Sequence, residues 1–292
     1  MLTVVIPSFY SSKIIEDRIN EIGEKIPIII IENSRDIEKK KKLESNFKNV
    51  RVIIPEKNYG FGYAANIGIK ESKTNMVFIS QPDVQLIDNC VDKLIECTNT
   101  FKDFTVLTPY DKNDKLFCNY EVSNDYNNSN KSKFNLKQVD FVDLTWLINK
   151  DNFDQNDLWD EKIFLYFEAQ DFSKRLKNKN RKIYVSLGIN TFHIGSASHD
   201  KALDFYAKLN KNWHYNWSRF YYNKKHFGNS YAFRKSIAIM YKLIIKYLKT
   251  FFQLNKDERK LVTAEIGGLV SSIKNKPSDY RPYKQIVDAQ SI

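Results

Sequence analysis

Four short runs rich in β-branched residues, at 2–6, 28–31, 50–54 and 76–80, alternate with segments of helical period at 11–26, 39–47 and 62–72. A further helix is expected over 90–98. Runs that are apolar throughout, rather than at every second position, belong to strands buried on both faces. Short strands alternating with helices therefore predict an α/β chain with a mostly parallel sheet covered on both sides. Ligands of such sheets sit beyond the carboxyl ends of the strands. The residues at those ends are Pro7-Ser8-Phe9, Glu32-Asn33-Ser34, the loop 58–62 and Gln81-Pro82-Asp83. Four separate loops should converge on one crevice.

The loop after the third strand opens Asn58-Tyr-Gly-Phe-Gly-Tyr-Ala-Ala-Asn66-Ile-Gly68. A glycine-rich turn leading into a helix presents backbone N–H groups suited to phosphate oxygens. Asp83, one strand later, is suited to a divalent cation that neutralises them. The formal net charge of +11 also asks for an anionic partner, whether nucleic acid, a nucleotide ligand or an anionic membrane face. No nucleic-acid recognition motif accompanies the charge, so nucleic acid is not expected. At 292 residues the chain can form one large domain, or one domain with an appendage. It contains no apolar run of the roughly 18 residues that would span a bilayer, and its start does not read as a secretory leader. Cys90, Cys97 and Cys118 lack metal spacing and read as reduced thiols, so a cytoplasmic location is expected.

Downstream, 119–132 is rich in Asn, Ser and Lys and reads as a loop. Strands are expected at 139–148 and 183–187, a helix at the end of 161–178, and helices at 233–254 and 257–273. The stretch 208–226 interleaves Trp213, Trp217, Tyr221 and Tyr222 with basic residues. Such aromatics either stack on sugar rings or pack as core under a site. In 233–254, Lys235, Lys242, Lys246 and Lys249 form one stripe, and Met240, Ile244, Tyr247 and Phe251 another. That pattern suits an interfacial helix on an anionic membrane, a helix docked on the protein, or a dimer contact.

Several boxes in order resemble the inverting family 2 glycosyltransferases of GT-A fold, and their bacterial rhamnosyltransferase-like branch in particular. They are Ile6-Pro7-Ser8-Phe9, Glu32-Asn33-Ser34, Asn58 to Gly68, Ser80-Gln81-Pro82-Asp83-Val84, Phe164-Leu-Tyr-Phe-Glu168-Ala-Gln-Asp171, and His193-Ile-Gly-Ser-Ala-Ser198. The resemblance covers about residues 1–228. It implies a Rossmann-like GT-A domain over 1–228, with a nucleotide-sugar half at 1–100 and an acceptor and base half at 139–200. Residues 229–292 would then be a C-terminal helical extension. Glu32 stands where the family usually has Asp, and Gln81 where it usually has Asn. Ala169 replaces the second of two adjacent carboxylates, the one that commonly serves as base.

Sugar transfer requires that the leaving diphosphate be neutralised, the acceptor hydroxyl deprotonated and the sugar held in line. The resemblance implies Asp83 and His193 as ligands of Mg²⁺ or Mn²⁺. It implies donor contacts from Pro7, Ser8, Phe9, Glu32, Asn58, Gly60, Asn66, Gln81 and Asp83, and acceptor contacts from Trp146, Trp213 and Trp217. Glu168 is the expected base and Asp171 the second choice, although Asp171 could equally pair with Arg175 one turn on. The partners would be a nucleotide-sugar donor and a glycan or lipid-linked glycan acceptor, with homodimerisation and peripheral membrane contact also open. Two other classes compete. Gly60-Phe-Gly62-Tyr-Ala-Ala65 matches a dinucleotide fingerprint, but that fingerprint belongs directly after a strand, usually the first. A nucleotide-sugar-binding scaffold made inactive by Ala169 is the other.

Overall fold

A computed structural model describes residues 1–113, 119–121, 133–195 and 203–282, apart from the side chains of residues 12 and 13. Cys118, most of the stretch 119–132, and the segment containing Ser198 and His199 lie outside the described residues. The chain forms two compact units, residues 1–160 with 169–199, and residues 161–168 with 200–292.

The first unit is built on one large sheet. Its parallel part is β3 (Val50–Ile53), β2 (Ile28–Glu32), β1 (Leu2–Ser8) and β4 (Met76–Ser80), in that spatial order. β10 (Thr145–Asn149) follows antiparallel to β4, then β6 (Val106–Asp111), β11 (Ile183–His193) and the short β5 (Val84–Gln85). β6 and β11 are parallel to each other, and β5 runs antiparallel to β11. β8 (Leu136–Gln138) pairs with β11, and β7 (Tyr120–Glu121) pairs with β9 (Phe141–Val142) in a separate ribbon.

Alternation along the strands divides the core. Val4, Ile6, Ile30 and Phe78 face α1 (Ser12–Ile22), α2 (Ile37–Asn46) and α4 (Cys90–Thr100), through Ile15, Ile19, Leu43 and Leu94. Val5, Ile31, Val77 and Ile79 face α3 (Phe61–Glu71) and α5 (Glu168–Asn178), through Ala64, Ala65, Ile69, Phe172 and Leu176. Both sheet faces are therefore covered, as uniformly apolar strands require. α3 approaches β1 so closely that a Cβ on Gly68 would lie 2.1 Å from Val5 Cγ1. Cys90 and Cys97 are buried thiols, and burial pushes the Cys97 pKa up to about 11.

The second unit is helical: α6 (Asp204–Phe227), α7 (Asn229–Phe252) and α8 (Lys256–Ile273). Leu209, Trp213, Trp217 and Ala264 form one core cluster, and Phe220, Ala232 and Leu269 another. His214 is buried between Ser278 Oγ and the Tyr280 carbonyl, 2.8 Å from each, and desolvation pushes its pKa down to about 3. It is a neutral clip for the segment after α8. No helix among the described residues is long and apolar enough to cross a membrane.

Candidate active site

One edge of the sheet collects the carboxyl ends of β1, β2, β4, β6 and β11, together with the start of the antiparallel β10. Ser8, Glu32, Asp111 and His193 close four of those strands; Asp83 follows β4 and Asp143 precedes β10. Asp143 reaches this edge only because β10 runs opposite to its neighbours.

Asp83 is held by a tight turn in which Val84 N–H donates to the Gln81 carbonyl (3.2 Å). Its own carbonyl accepts from Ile194 N–H (2.9 Å), and β5 then pairs Val84 with His193. This brings Asp83 Oδ2 to 3.4 Å from His193 Nε2. That contact raises the His193 pKa, against desolvation, and the charges of Asp83, Asp111 and Asp143 push the same way. α1 supports the turn from below: Glu21 accepts from Leu86 N–H (2.8 Å) and pairs with the buried Arg18 at 2.7 Å. Burial lowers the Arg18 pKa, and the charges of Glu21, Asp17 and Asp83 oppose that shift.

Asp111 Oδ1 accepts from the backbone N–H of His193 (2.9 Å) and of Asn113 (3.2 Å), and Asn113 Nδ2 donates to the His193 carbonyl (2.5 Å). Asp111 Oδ2 and His193 Nδ1 are buried without a hydrogen-bond partner. Asp143 is half-buried, and desolvation raises its pKa from 3.8 to about 6. Asp111 and Asp143 were missed in the sequence because neither sits in a box; the signal would have been three acidic strand ends around one histidine.

A divalent ion would fit here incompletely on protein ligands alone. Asp83 and His193 supply two donors of suitable type, but among the described residues no group of three His, Cys, Asp or Glu side chains is placed to hold an ion. The donor set is one that oxygens of a bound ligand would have to complete.

Asp143 yields a stability prediction. Between about pH 4 and 6 the unfolded chain loses this proton while the folded chain keeps it, so stability falls as pH rises through that window. Asp143→Asn should be more stable than the parent at pH 8, by on the order of 1–2 kcal/mol after allowance for partial solvent access. The gain should vanish below about pH 4 in chemical denaturation. A gain of equal size at both pH values would contradict the assignment.

At the β1 and β2 ends, Glu32 is fully buried. Oε2 accepts from Ser8 Oγ (2.8 Å) and pairs with Lys39 Nζ (2.6 Å); Oε1 accepts from Ser34 N–H (3.0 Å) and from the Ser34 hydroxyl. Lys39 also donates to Ser8 Oγ (3.0 Å). The Glu32, Ser8 and Lys39 side chains thus bind one another in a closed knot at the ends of β1 and β2. Pro7 is buried beside them and Phe9 is half-buried. Asn58 Oδ1 accepts from Gly60 N–H (2.9 Å), and Gly60 takes φ 97°, a conformation natural to glycine, immediately before α3.

Other side chains expected at the site have partners within the protein. Asn66 is buried and brackets the Trp159 backbone, donating to its carbonyl (3.0 Å) and accepting from its N–H (2.9 Å). Trp146 is fully buried against Trp159 and Phe61, with ring centroids at 5.5 and 5.3 Å. Trp213 and Trp217 are core of the helical unit; Trp213 stacks on Tyr280, and Trp217 donates to the Lys276 carbonyl (2.9 Å). Asp171 is buried, and its carboxylate pairs with Arg175 Nε at 2.7 Å. Arg175 in turn ties down the Leu158 carbonyl (2.7 Å).

Glu168, by contrast, is half-buried at the first position of α5. Tyr166 (φ 64°) and Phe167 (φ 67°) precede it, both left-handed, a costly conformation for aromatic residues. Rings on α6 brace the elbow: Tyr215 contacts both, and Tyr222 contacts Phe167. Ala169 faces the core with Trp146, Trp159 and Phe172.

The glycosyl transferase family 2 model matches residues 3–172. Among curated proteins, none matches the chain. Among solved structures, a mannosyltransferase from Pyrobaculum calidifontis in complex with GDP-Man and Mn²⁺ is similar at TM-score 0.56 and 8% identity, over 94% of this chain and 87% of that one. GalNAc-T7 with UDP, GalNAc and Mn²⁺ is similar at TM-score 0.54 and 13% identity, over 76% and 50% of the two chains. S. aureus TarS 1–349 with UDP is similar at TM-score 0.50 and 14% identity, over 94% and 92%. At these identities the likeness speaks to the fold, which is the GT-A arrangement of a mostly parallel sheet between helices. The family match covers more than half of the chain, and the chain belongs to glycosyl transferase family 2.

Proposed function

We propose that the protein transfers a sugar from a nucleoside-diphosphate donor to a hydroxyl of a surface glycan or lipid-linked oligosaccharide, with inversion. The observation that carries this reading is the acidic strand-end cluster of Asp83, Asp111 and Asp143 around His193, at the edge where ligands of such sheets bind. Asp83 and His193 would hold Mg²⁺ or Mn²⁺, which offsets the charge of the departing diphosphate. The Glu32–Lys39–Ser8 knot sets the floor of the nucleoside end, and the Asn58–Gly60 turn aims the start of α3 at the phosphates.

In a single displacement the acceptor oxygen bonds to the anomeric carbon as the bond to the diphosphate oxygen breaks, and the acceptor proton goes to a carboxylate. Glu168 is the base in this reading. Asp171 is already paired, and a carboxylate at position 169 would be directed into the core. A strained elbow ahead of Glu168 is the kind of cost a fold keeps where a side chain must be aimed. Rhamnosyltransferase-like boxes make dTDP-rhamnose the first donor to test, then UDP-sugars, with GDP-mannose added because of the P. calidifontis likeness. Ala169 favours a second reading, a nucleotide-sugar-binding protein without turnover.

Glu168→Gln separates the two. The substitution should leave donor affinity within about twofold and lower transfer by about 10²–10⁴. Equal transfer by variant and parent removes Glu168 from the chemistry. Tight donor binding by the parent with neither transfer nor donor hydrolysis would support the binding-protein reading.

A further inference from the structure

α7 is apolar on two faces rather than one. Its inner face packs through Ala232, Ser236, Leu243 and Thr250. Met240 and Tyr247, from the stripe expected at the membrane, are half-buried beside that face. A second stripe of Ile237, Tyr241, Ile244, Leu248 and Phe252 recurs every three or four residues and so lies along one side. It is 47–88% exposed, and Phe233, Ile245 and Phe251 widen it. A continuous apolar face of this extent is uncommon on a helix surrounded by water.

The charge beside it is of one sign. Lys235, Lys242 and Lys249 recur every seven residues along one flank. Lys246, from the same stripe, turns back to Glu258 and Glu265, 3.0 Å from each. At the C-terminal end Arg259 lies over the Phe251 ring, 3.9 Å from its centroid. The helix contains no Asp or Glu. A second copy laying its own α7 on this face would bring more lysine and no counter-charge. An anionic leaflet supplies both the apolar bed and the counter-charge.

We infer that the outer face of α7 lies in the interface of an anionic bilayer, with Ile237, Tyr241, Ile244, Leu248 and Phe252 among the acyl chains and Lys235, Lys242 and Lys249 at the headgroups. This does not depend on the transferase reading. The test is co-flotation of the full chain with vesicles of phosphatidylcholine alone or with about 30% phosphatidylglycerol. The parent should float with the anionic vesicles and release as salt is raised. A Tyr241→Ser, Ile244→Ser, Leu248→Ser variant changes only exposed positions; it should keep the parent's melting temperature and bind at least about tenfold more weakly. Lys235→Gln, Lys242→Gln, Lys249→Gln should lose roughly 100-fold on anionic vesicles and little on neutral ones. Light scattering on the same samples reads the alternative. Failure of the folded parent to float would overturn the inference. So would a parent dimer that the serine variant turns into monomers while vesicle binding stays unchanged.

Discussion

Asp83→Asn should lower sugar transfer by about 10³-fold, equivalent to about 4 kcal/mol of transition-state stabilisation, while the chain stays folded. The asymmetry follows from the position of Asp83. Its backbone is fixed by the turn from Gln81 and by the bond from Ile194, neither of which needs the carboxylate. The carboxylate lies 3.4 Å from His193 Nε2, and in this account it supplies the negative charge that holds the cation. Steady-state transfer and a thermal melt measured on one preparation check both halves. A variant that keeps more than a tenth of parent activity would place the charge compensation elsewhere.

Lys39→Met should cost about 3–5 kcal/mol of folding stability, the range for stranding one member of a buried ion pair. Glu32 is fully enclosed, and Lys39 is the cation beside it. Without the lysine, the Ser8 and Ser34 hydroxyls and the Ser34 N–H remain, which leaves a buried negative charge uncompensated. Combining Lys39→Met with Glu32→Gln should restore most of the loss, because an amide there carries no net charge and still accepts from Ser34. Urea denaturation of the four proteins gives the coupling directly. A cost below 1 kcal/mol for Lys39→Met alone would mean that the knot is open to water.

The parallel half of the fold was legible because each strand is a closed apolar run with turn residues behind it; the run 76–80 became β4 Met76–Ser80 without adjustment. The direction of β10 was not legible. A strand buried on both faces reads the same either way along the sheet, and this direction is what delivers Asp143 to the site. Strands of two or three residues, such as β5 and β8, carry no period to detect. The fifth strand nonetheless carries the pairing that sets His193 beside Asp83.

Side-chain roles were harder to read than backbone. Four consecutive lysines in α2 look like a solvated surface, yet Lys39 precedes the buried Leu43 by four residues and shares its inward face. Trp146 sits in the middle of an apolar strand, a position that already argues for core over ligand contact. The aromatics of α6 were consistent with either role; in the structure Trp213 and Trp217 pack with Leu209, Ala264 and Tyr280. The resemblance implied a domain over 1–228; in the structure α6 falls in one compact unit with α7 and α8.

Diffraction from crystals soaked with MnCl₂ and a nucleoside diphosphate, recorded for manganese anomalous signal, tests the central claim most directly. The account predicts one manganese peak in contact with an Asp83 oxygen, with diphosphate oxygens completing its coordination and His193 alongside. A bound diphosphate with no metal at Asp83, or a manganese peak away from this strand end, would contradict it.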